Sequence, residues 1–327
     1  MNVLIAGGSG FVGQALVKHL LSANNKIHQY NITILGRDVV NNTKKFNKIL
    51  SNSNNLNFIA WSQLESDTSE KLTAALEIIT KYDVIINLCG ASIGERRWSE
   101  KYKQEIISSR VVPTRVLAHL CVAAKQKYQK DIGLYNTSAI GIYGLENKQA
   151  VYTESSHLNN STDFLSKVGR VWEQAAEEAV QNDIRVTFMR FGVVLDWARG
   201  ALQKMLLPFK LGLGGKIGSG KQAFSWISLA DLVRIIEILI NNKQVSGPIN
   251  LVVPDVTNQQ LFSEQLAKSM NRPCFMTTPS FLIRLLFGQM GQELLLDGQS
   301  VKSVKLDSYY TQWLHPSLKS FLQTNKR

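Results

Sequence analysis

The first thirteen residues decide the fold, and they read Met1-Asn2-Val3-Leu4-Ile5-Ala6-Gly7-Gly8-Ser9-Gly10-Phe11-Val12-Gly13. Residues 2–6 form a short apolar run of strand length, and from Phe11 the apolar residues recur at helical spacing. A glycine-rich turn between a strand and a helix is the setting in which such glycines bind a phosphate, although an ordinary β–α turn is the alternative. The stretch therefore predicts a dinucleotide-binding α/β fold.

Each glycine of this turn has a physical role. Gly7 permits the tight turn, Gly10 lets backbone N–H groups approach a pyrophosphate, and Gly13 lets the helix pack against the strand. The helix N-terminus then presents unpaired N–H groups and the positive end of its dipole to the phosphates. We expect the cofactor to contact the whole turn and the residues that open the helix, namely Gly7, Gly8, Ser9, Gly10, Phe11, Val12 and Gly13.

The composition is typical of a soluble globular protein, because 44% of the 327 residues are hydrophobic and 19% are charged. Charges and glycines interrupt every long apolar run, and no basic segment precedes the first strand. We therefore expect no transmembrane helix, no membrane partner and no signal peptide. Cys89, Cys121 and Cys274 are scattered without metal-ligand spacing, which indicates a reduced, cytoplasmic compartment and no metal site.

The net charge of +12 is the one unusual bulk property. Such a charge attracts anions, including nucleotide phosphates, and can support weak nucleic-acid binding. The excess is spread along the chain and no nucleic-acid-binding module is recognisable. We therefore expect a small anionic ligand and no nucleic acid.

The second strand indicates which dinucleotide binds. Residues 31–35 read as this strand, and Gly36-Arg37-Asp38 follow it directly. An acidic residue at this strand end binds the ribose 2′-OH of NAD, whereas an arginine suits the 2′-phosphate of NADP. Because Arg37 comes first, the sequence favours NADP(H) over NAD; a solvated charge pair in a loop is the alternative. Residues 41–57, rich in Asn, Lys and Ser, are predicted to form a surface loop.

Strands and helices alternate through the first 195 residues. Further strands are predicted at residues 57–61, 82–91, 132–137 and 184–191, and helices at 68–81, 99–127 and 163–181. Pro113 should kink or divide the second of these helices. The alternation predicts an α/β fold of Rossmann type, with a doubly wound parallel sheet and a smaller C-terminal substrate lobe. Residues 1–195, completed by 225–253, form the predicted NADP-binding domain, and residues 196–224 and 254–327 form the lobe.

Several stretches together carry a resemblance to a known family. They are the glycine turn, Asn87 to Ala91, Ser138 to Gly144, Arg190 to Leu195 and, most specifically, Leu211 to Gly220. With these stretches the chain resembles the extended short-chain dehydrogenase/reductases, and within them the atypical branch called epimerase family proteins, which is similar to sugar-nucleotide epimerases. Residues 287–296 fit the additional C-terminal domain of that branch, and the resemblance covers essentially the whole chain.

The resemblance implies an NADP(H) cofactor and a set of contacts at the ends of the strands. These contacts are Gly36, Arg37, Leu88, Cys89, Gly90, Glu105, Arg110 and Val194. Arg37 and Arg110 offer cationic donors to an anionic ligand, and Glu105 can accept a hydrogen bond from a ribose or a base. Small residues after the strands allow contact with the backbone.

The chain departs from the resemblance at the catalytic residues. Typical members of the larger superfamily use a Tyr-x-x-x-Lys pair to exchange a proton with a substrate hydroxyl during hydride transfer. No tyrosine here is followed four residues later by lysine, and Phe164 and Val168 stand where the pair is expected. Ser138 and Tyr143 are the candidate catalytic residues. Further polar candidates are Arg96, Arg97 and Glu154.

Two functions follow from this combination. One is an NADP-dependent epimerase or oxidoreductase that acts on a nucleotide sugar or a similar polar substrate with a non-standard acid–base group. The other is an NADP(H)-binding sensor or regulatory scaffold without turnover, which the missing Tyr–Lys pair favours. The resemblance also implies a homodimer.

Overall fold

The computed structural model describes residues 1–22, 29–47, 55–145, 150–158 and 161–324. Seven strands form the central sheet, namely β1 (Asn2–Ala6), β2 (Asn31–Gly36), β3 (Leu56–Ala60), β4 (Val84–Asn87), β5 (Gly133–Ala139), β6 (Val186–Phe191) and β7 (Gly247–Leu251). All neighbours are parallel, and the strand order is β3-β2-β1-β4-β5-β6-β7. Because the order changes direction at β1, a crevice opens between the carboxyl ends of β1 and β4, where such folds bind nucleotides.

The helices connect these strands and build the C-terminal lobe. They are α1 (Phe11–Ser22), α2 (Val39–Asn47), α3 (Ser69–Ile79), α4 (Glu100–Tyr128), α5 (Phe164–Gln174), α6 (Glu177–Gln181), α7 (Ala201–Lys210), α8 (Leu229–Asn241), α9 (Gln259–Ser269), α10 (Ser280–Gly291) and α11 (Leu318–Gln323). A π-helical turn, Gln292–Leu296, follows α10, and 3₁₀ turns occur at Trp61–Leu64, Ile140–Tyr143 and Leu306–Ser308.

Helices cover both faces of the sheet, which confirms the doubly wound, Rossmann-type α/β fold. Successive residues of a strand point to opposite faces. Val3 and Ile5 of β1 accordingly pack in one core cluster with α1 and α8, whereas Leu4 and Ala6 pack in another with α3 and α4. A strand with apolar residues on both sides is expected only when both faces are buried.

Helix α4 runs without interruption through Pro113, so the predicted division at this residue is wrong. Proline removes one backbone hydrogen bond and normally disturbs a helix. Here Ile106 and Leu117 are both fully buried and fix the helix on either side of the proline. By length and composition alone α4 is apolar enough to cross a membrane, and in this fold its residues Leu117 and Cys121 pack into the core.

Residues 41–47 belong to α2, so the predicted surface loop is wrong in its first part. The cause is Asp38, whose Oδ1 accepts a hydrogen bond from the backbone N–H of Asn41 at 2.9 Å, as a helix-capping residue does. Residues 48–54 of the predicted loop lie outside the described residues, and residues 56–60 form β3.

Short parallel strand pairs lie outside the central sheet. Directly after β6, Val193–Leu195 pairs with Trp226–Ser228. Gly215–Ile217 pairs with Met276–Thr278, and Val151–Tyr152 pairs with Ser300–Val301. The pair of Val151–Tyr152 with Ser300–Val301 therefore joins the C-terminal lobe to the segment that follows β5.

The carboxylate of Asp231, which is fully buried in α8, binds the C-terminal segment. Its Oδ1 accepts hydrogen bonds from the hydroxyl of Tyr310 and the backbone N–H of Leu314, both at 2.7 Å. Its Oδ2 accepts from the N–H of His315 at 3.1 Å and from the hydroxyl of Ser228 at 2.6 Å. Burial alone would raise the pKa of Asp231, but the ring of His315, whose Nδ1 lies 3.3 Å from Oδ2, and the hydrogen bonds from Ser228, Tyr310 and Leu314 hold it below its usual value.

Candidate functional site

The glycine turn brings β1, α1 and the end of β4 into direct contact. Gly7 has a φ of +77°, and a Cβ added to it would lie 2.7 Å from the carbonyl oxygen of Leu88. The backbone N–H of Gly10 closes the turn by donating to the carbonyl of Gly7 at 3.0 Å. The positive φ and the close approach of Leu88 each require glycine at residue 7, because any side chain there meets strain and a backbone clash.

Gly13 and Gly10 differ in what surrounds them. A Cβ on Gly13 would lie 2.5 Å from the carbonyl oxygen of Gly7, so α1 packs directly on the turn. A Cβ on Gly10, which is exposed, would meet only that same carbonyl, at 3.1 Å. The turn is therefore closed towards the protein and open beside the N-terminus of α1, which fits a bound phosphate. The other residues predicted here (Gly8, Ser9, Phe11 and Val12) complete the turn and the first turn of α1.

The residues predicted at the end of β2 lie at the same edge of the sheet. Ala6 of β1 is opposite both Leu35 of β2 and Asn87 of β4, so the segments that follow these strands are neighbours. Gly36 ends β2 and approaches the side chain of Asn42 in α2. The exposed side chain of Arg37 follows it.

Arg37 and Asp38 have different surroundings. Both carboxylate oxygens of Asp38 accept hydrogen bonds from Asn41, at 2.9 and 2.5 Å, so this acid caps α2. Burial raises the pKa of the Cys89 thiol to about 12, and the positive charge of Arg37 acts against this shift. Arg37 therefore stays exposed after β2, whereas the acid beside it caps α2.

The segment after β4 is held by buried polar groups. The N–H of Leu88 donates to the carbonyl of Ala6 at 2.9 Å, and the N–H of Cys89 to the side chain of Asn87 at 3.2 Å. A Cβ on Gly90 would lie 3.0 Å from the guanidinium carbon of Arg110. The crevice is thus lined by the backbone of Leu88, Cys89 and Gly90, and their contact with a cofactor is what the resemblance implies.

Arg110 is only 9% exposed and is bound by the protein itself. Its guanidinium donates to the carbonyls of Ile106 and Ala91, at 2.9 and 3.0 Å, and lies 4.9 Å from the ring centroid of Trp172. Burial lowers the pKa of Arg110 to about 10, so the side chain remains charged near neutral pH. Among the described residues, no carboxylate pairs with it.

Two further predicted contacts lie on either side of the crevice. Glu105, about half exposed on α4, accepts a hydrogen bond from Nη2 of Arg96 at 2.7 Å. Val194 lies just after β6 and is opposite Ile227 in the short strand pair. No contact of these residues with a cofactor is visible in the geometry alone, so their role in binding stays a prediction.

Ser138 and Tyr143, the candidate catalytic residues, belong to one buried network. The hydroxyl of Ser138 donates to Oε1 of Glu173 at 2.7 Å. Arg190 binds Glu173 through two parallel hydrogen bonds of 2.8 Å and donates to the hydroxyl of Tyr143 at 2.9 Å. That hydroxyl in turn donates to Oδ1 of Asn250 at 2.8 Å. The network joins β5, β6 and β7 to α5.

Burial restricts what these two hydroxyls can do. Ser138 and Tyr143 are each only 1% exposed, and the ring of Tyr143 stacks on Tyr152 with centroids 5.1 Å apart. Burial raises the pKa of Tyr143, so its phenol is neutral near neutral pH. The contacts favour a structural role, and catalysis by either residue stays a prediction.

The place of the missing Tyr–Lys pair is apolar. Phe164 and Val168, at the start of α5, are buried in a cluster with Trp98, Tyr102 and Met290. The rings of Phe164 and Trp98 meet edge to face with centroids 4.8 Å apart. Neither residue supplies a group that can exchange a proton, as the sequence indicates.

The remaining polar candidates also have structural contacts. Glu154 is 9% exposed and accepts hydrogen bonds from the N–H groups of Asn250 and Val304, at 3.0 and 2.9 Å. Arg97 is exposed and lies beside Gly288 in α10, where an added Cβ would come within 3.2 Å of its Nε. In the described ranges, no group of three His, Cys, Asp or Glu residues is arranged to hold a metal.

Glu293 of the π-helical turn is a buried carboxylate that no local sequence pattern identifies as functional. It accepts hydrogen bonds from the backbone N–H groups of Phe164 and Leu165, at 3.1 and 3.0 Å, and from the side chain of Gln289 at 2.7 Å. Burial raises the pKa of Glu293. A residue of the C-terminal lobe therefore caps α5, together with Asp163, which accepts from the N–H of Ser166 at 2.8 Å.

Two cations, Lys45 and Arg199, also lie at the glycine turn. Nζ of Lys45, in α2, donates to the carbonyl of Ser9 at 3.0 Å. Nη1 of Arg199, just before α7, donates to Oε1 of Gln14 at 2.8 Å, and Nε2 of Gln14 donates to the carbonyl of Ser9 at 2.6 Å. No local pattern identifies them, because they reach the turn only through the packing of distant segments.

Two models of protein families match the chain. Residues 3–252 match the NAD dependent epimerase/dehydratase family, and residues 278–324 match a domain of unknown function, DUF1731. An epimerase family protein of Staphylococcus aureus is 36% identical over 321 residues, which cover 98% of this chain and 97% of that protein. An epimerase family protein of Staphylococcus saprophyticus is 35% identical over 324 residues, which cover 98% of each.

Solved structures of other proteins are similar to the fold of this chain. The human epimerase family protein SDR39U1, crystallised with NADPH, is 29% identical with a TM-score of 0.80, over 99% of this chain and 98% of that one. A nucleoside-diphosphate sugar epimerase of Corynebacterium glutamicum is 26% identical with a TM-score of 0.68, over 99% of this chain and 57% of that one. The UDP-glucuronic acid 4-epimerase of Bacillus cereus shares the fold, with 17% identity and a TM-score of 0.71 over 99% of this chain and 96% of that one.

Proposed function

The chain belongs to the NAD dependent epimerase/dehydratase family, and from this premise we propose that it binds NADP(H) in the crevice beside β1. We further propose that it acts there as an epimerase or oxidoreductase on a nucleotide sugar or a similar polar substrate. The cofactor, when bound, supplies the hydride chemistry. The residues of the chain bind the cofactor, orient it and keep water from its reactive end.

The glycine turn is the observation that carries the cofactor part of this proposal. Gly7 and Gly13 leave no room for a Cβ, which brings the N-terminus of α1 close to the end of β1, and Gly10 stays exposed beside it. A turn with this shape presents backbone N–H groups to a diphosphate.

The surroundings of Arg37 support NADP(H) over NAD(H). An arginine binds the 2′-phosphate of NADP, whereas recognition of NAD needs a free carboxylate for the ribose 2′-OH. Asp38 is the nearest acid, and both of its oxygens accept hydrogen bonds from Asn41. The NADPH in the crystals of the human relative supports the same cofactor.

The nucleotide-sugar part rests on similarity and on charge. The related protein of Corynebacterium glutamicum is described as a nucleoside-diphosphate sugar epimerase, and the net charge of +12 favours an anionic substrate. Residues 300–301 of the C-terminal lobe pair with residues 151–152, in the segment that follows the carboxyl end of β5, and substrates bind at the carboxyl ends of the strands in folds of this class.

The test is a titration of the purified protein with NADPH, NADP⁺ and NADH, followed by cofactor fluorescence. Nucleotide sugars are then added to the bound sample while absorbance reports the oxidation state and chromatography reports epimers. We expect tight binding of NADPH and NADP⁺, weaker binding of NADH, and turnover of one substrate. If none of the three dinucleotides binds, the proposal is wrong.

A second function, NADP(H) binding without turnover, is favoured by one specific observation. Phe164 and Val168 place an apolar cluster where relatives carry their acid–base pair, and Ser138 and Tyr143 are buried in hydrogen bonds within the protein. A sensor or scaffold of this kind would bind the cofactor and leave every substrate unchanged. If turnover is found, unchanged rates in Tyr143→Phe and Ser138→Ala would remove both residues from the mechanism.

A further inference from the structure

Lys45 and Arg199 lie on the glycine turn, although one comes from α2 and the other from the segment that enters α7. Lys45 contacts the carbonyl of Ser9 directly, and Arg199 reaches the same carbonyl through Gln14. Both side chains are exposed. They therefore bring two cations to the glycine turn, one from the side of α2 and the other from the side of α7.

The segment that carries Arg199 is pressed against the start of α1. Gly200 has a φ of +78°, and a Cβ added to it would lie 2.8 Å from the ring of Phe11. Gly200 also forms a β-bridge with Leu195, and the N–H of Ala198 is bound by Asp196 at 3.0 Å. The backbone on both sides of Arg199 is thus fixed, which keeps the guanidinium beside the helix N-terminus.

The charges at this turn are not balanced by the protein. Across the part of the chain that the structure describes, no carboxylate forms an ion pair with Arg37, Lys45 or Arg199. Other cations near the crevice are engaged, such as Arg96 with Glu105 at 2.7 Å. Lys45 and Arg199 at the N-terminus of α1, and Arg37 after β2, are cations without a counter-ion, and such charges create a field that favours a polyanion.

We propose that Arg199 binds the diphosphate of the dinucleotide and that Lys45 joins Arg37 at the 2′-phosphate. The inference rests on the proposed cofactor site and assigns its phosphates to separate side chains. Arg199 is bonded to Gln14 of α1, the helix whose N-terminus faces the diphosphate. Lys45 and Arg37 come from α2 and from the end of β2, the connection that recognises the 2′ position.

The two assignments predict different losses of affinity for NADPH and NADH, because only NADPH carries the 2′-phosphate. We would measure the dissociation constants of both dinucleotides by fluorescence for wild type, Arg199→Gln, Lys45→Gln and Arg37→Ala. Lys210→Gln, an exposed lysine in α7, is the matched control. Loss of a charge-assisted contact should weaken binding about tenfold. Arg199→Gln should weaken NADPH and NADH by the same factor, Lys45→Gln and Arg37→Ala should weaken NADPH far more than NADH, and Lys210→Gln should weaken neither.

Arg199→Lys keeps the charge and should recover part of the affinity, which separates a phosphate contact from a general disturbance of the turn. Unchanged binding in Arg199→Gln, or a loss confined to NADPH, would overturn the diphosphate assignment. Equal losses for both dinucleotides in Lys45→Gln would overturn the 2′-phosphate assignment. These outcomes leave the proposed function standing if wild type binds, whereas a wild-type protein that binds neither dinucleotide removes the proposed function and this inference together.

Discussion

Asp231 shows how much one residue can hold in place. Its carboxylate is fully buried and accepts hydrogen bonds from the side chains of Ser228 and Tyr310 and from two backbone N–H groups. A buried carboxylate is unfavourable unless its oxygens are bound. Here they are, and the pKa of Asp231 lies below its usual value.

The substitution Asp231→Asn should destabilise the protein in a pH-dependent way. The amide has one acceptor oxygen and places its own N–H groups against two of the donors, so we expect the free energy of unfolding at pH 7 to fall by about 2–4 kcal/mol. A carboxylate whose folded pKa is lowered stabilises the protein above its unfolded pKa of about 4 and loses this effect as the pH falls through the folded value. The difference from wild type should therefore shrink in acid.

Urea unfolding of both proteins between neutral and acidic pH measures this difference, with the exposed Asp307→Asn as the control. A constant difference across the range would show that the loss does not come from the charge of Asp231.

At the scale of elements, α5 depends on a residue that lies far from it in the chain. Asp163 caps the helix locally, whereas Glu293, 129 residues after Phe164, binds its first free N–H groups. The first N–H groups of any helix lack partners within the helix. The N-terminus of α5, the helix that carries the acid–base pair in typical relatives, is therefore bound by a carboxylate of the C-terminal lobe.

Replacing Glu293 with alanine should weaken this connection. Two buried N–H groups of α5 would lose their acceptors, and we expect the free energy of unfolding to fall by about 2–4 kcal/mol. Glu293→Gln keeps one acceptor oxygen and should lose less. Thermal unfolding measures both variants, with the exposed Glu264→Ala as the control; equal stability of Glu293→Ala and wild type would mean that water replaces the carboxylate at no cost.

The elements also show where sequence reasoning succeeds. Residues 1–13 and the Gly36-Arg37 pair are local signals, because strand, turn and helix are encoded by neighbours in the chain, and they predicted the fold and the edge of the sheet that forms the crevice. Lys45, Arg199 and Glu293 act across long separations, up to 185 residues for Arg199 and Gln14. No spacing rule identifies such contacts. Asp38 is a local capping signal for α2, but the polar composition of the residues after it favours the prediction of a loop.

At the scale of the whole molecule, the C-terminal lobe is part of the main core and not an appended module. Leu306, Tyr310, Leu318 and Phe321 are buried in the same cluster as β1 and α8. Phe321 also stacks on Trp197, in the segment that carries Arg199, with ring centroids 5.9 Å apart. Contacts therefore link α11 to the segment that carries Arg199 and, through that segment, to the glycine turn.

During synthesis on the ribosome, Asp231 is made long before three of its hydrogen-bond donors. His315 follows Asp231 by 84 residues, so at about 5–20 residues per second the nascent chain carries this carboxylate for about 4 to 17 s before its last partner is made. By the time residue 251 has been added, every strand of the central sheet exists, but of the donors to the Asp231 carboxylate only Ser228 has been made. A message cut short between the codons for residues 251 and 310 therefore yields a chain with every strand of the sheet but without the Tyr310, Leu314 and His315 donors to Asp231, a product suited to recognition by chaperones and proteases.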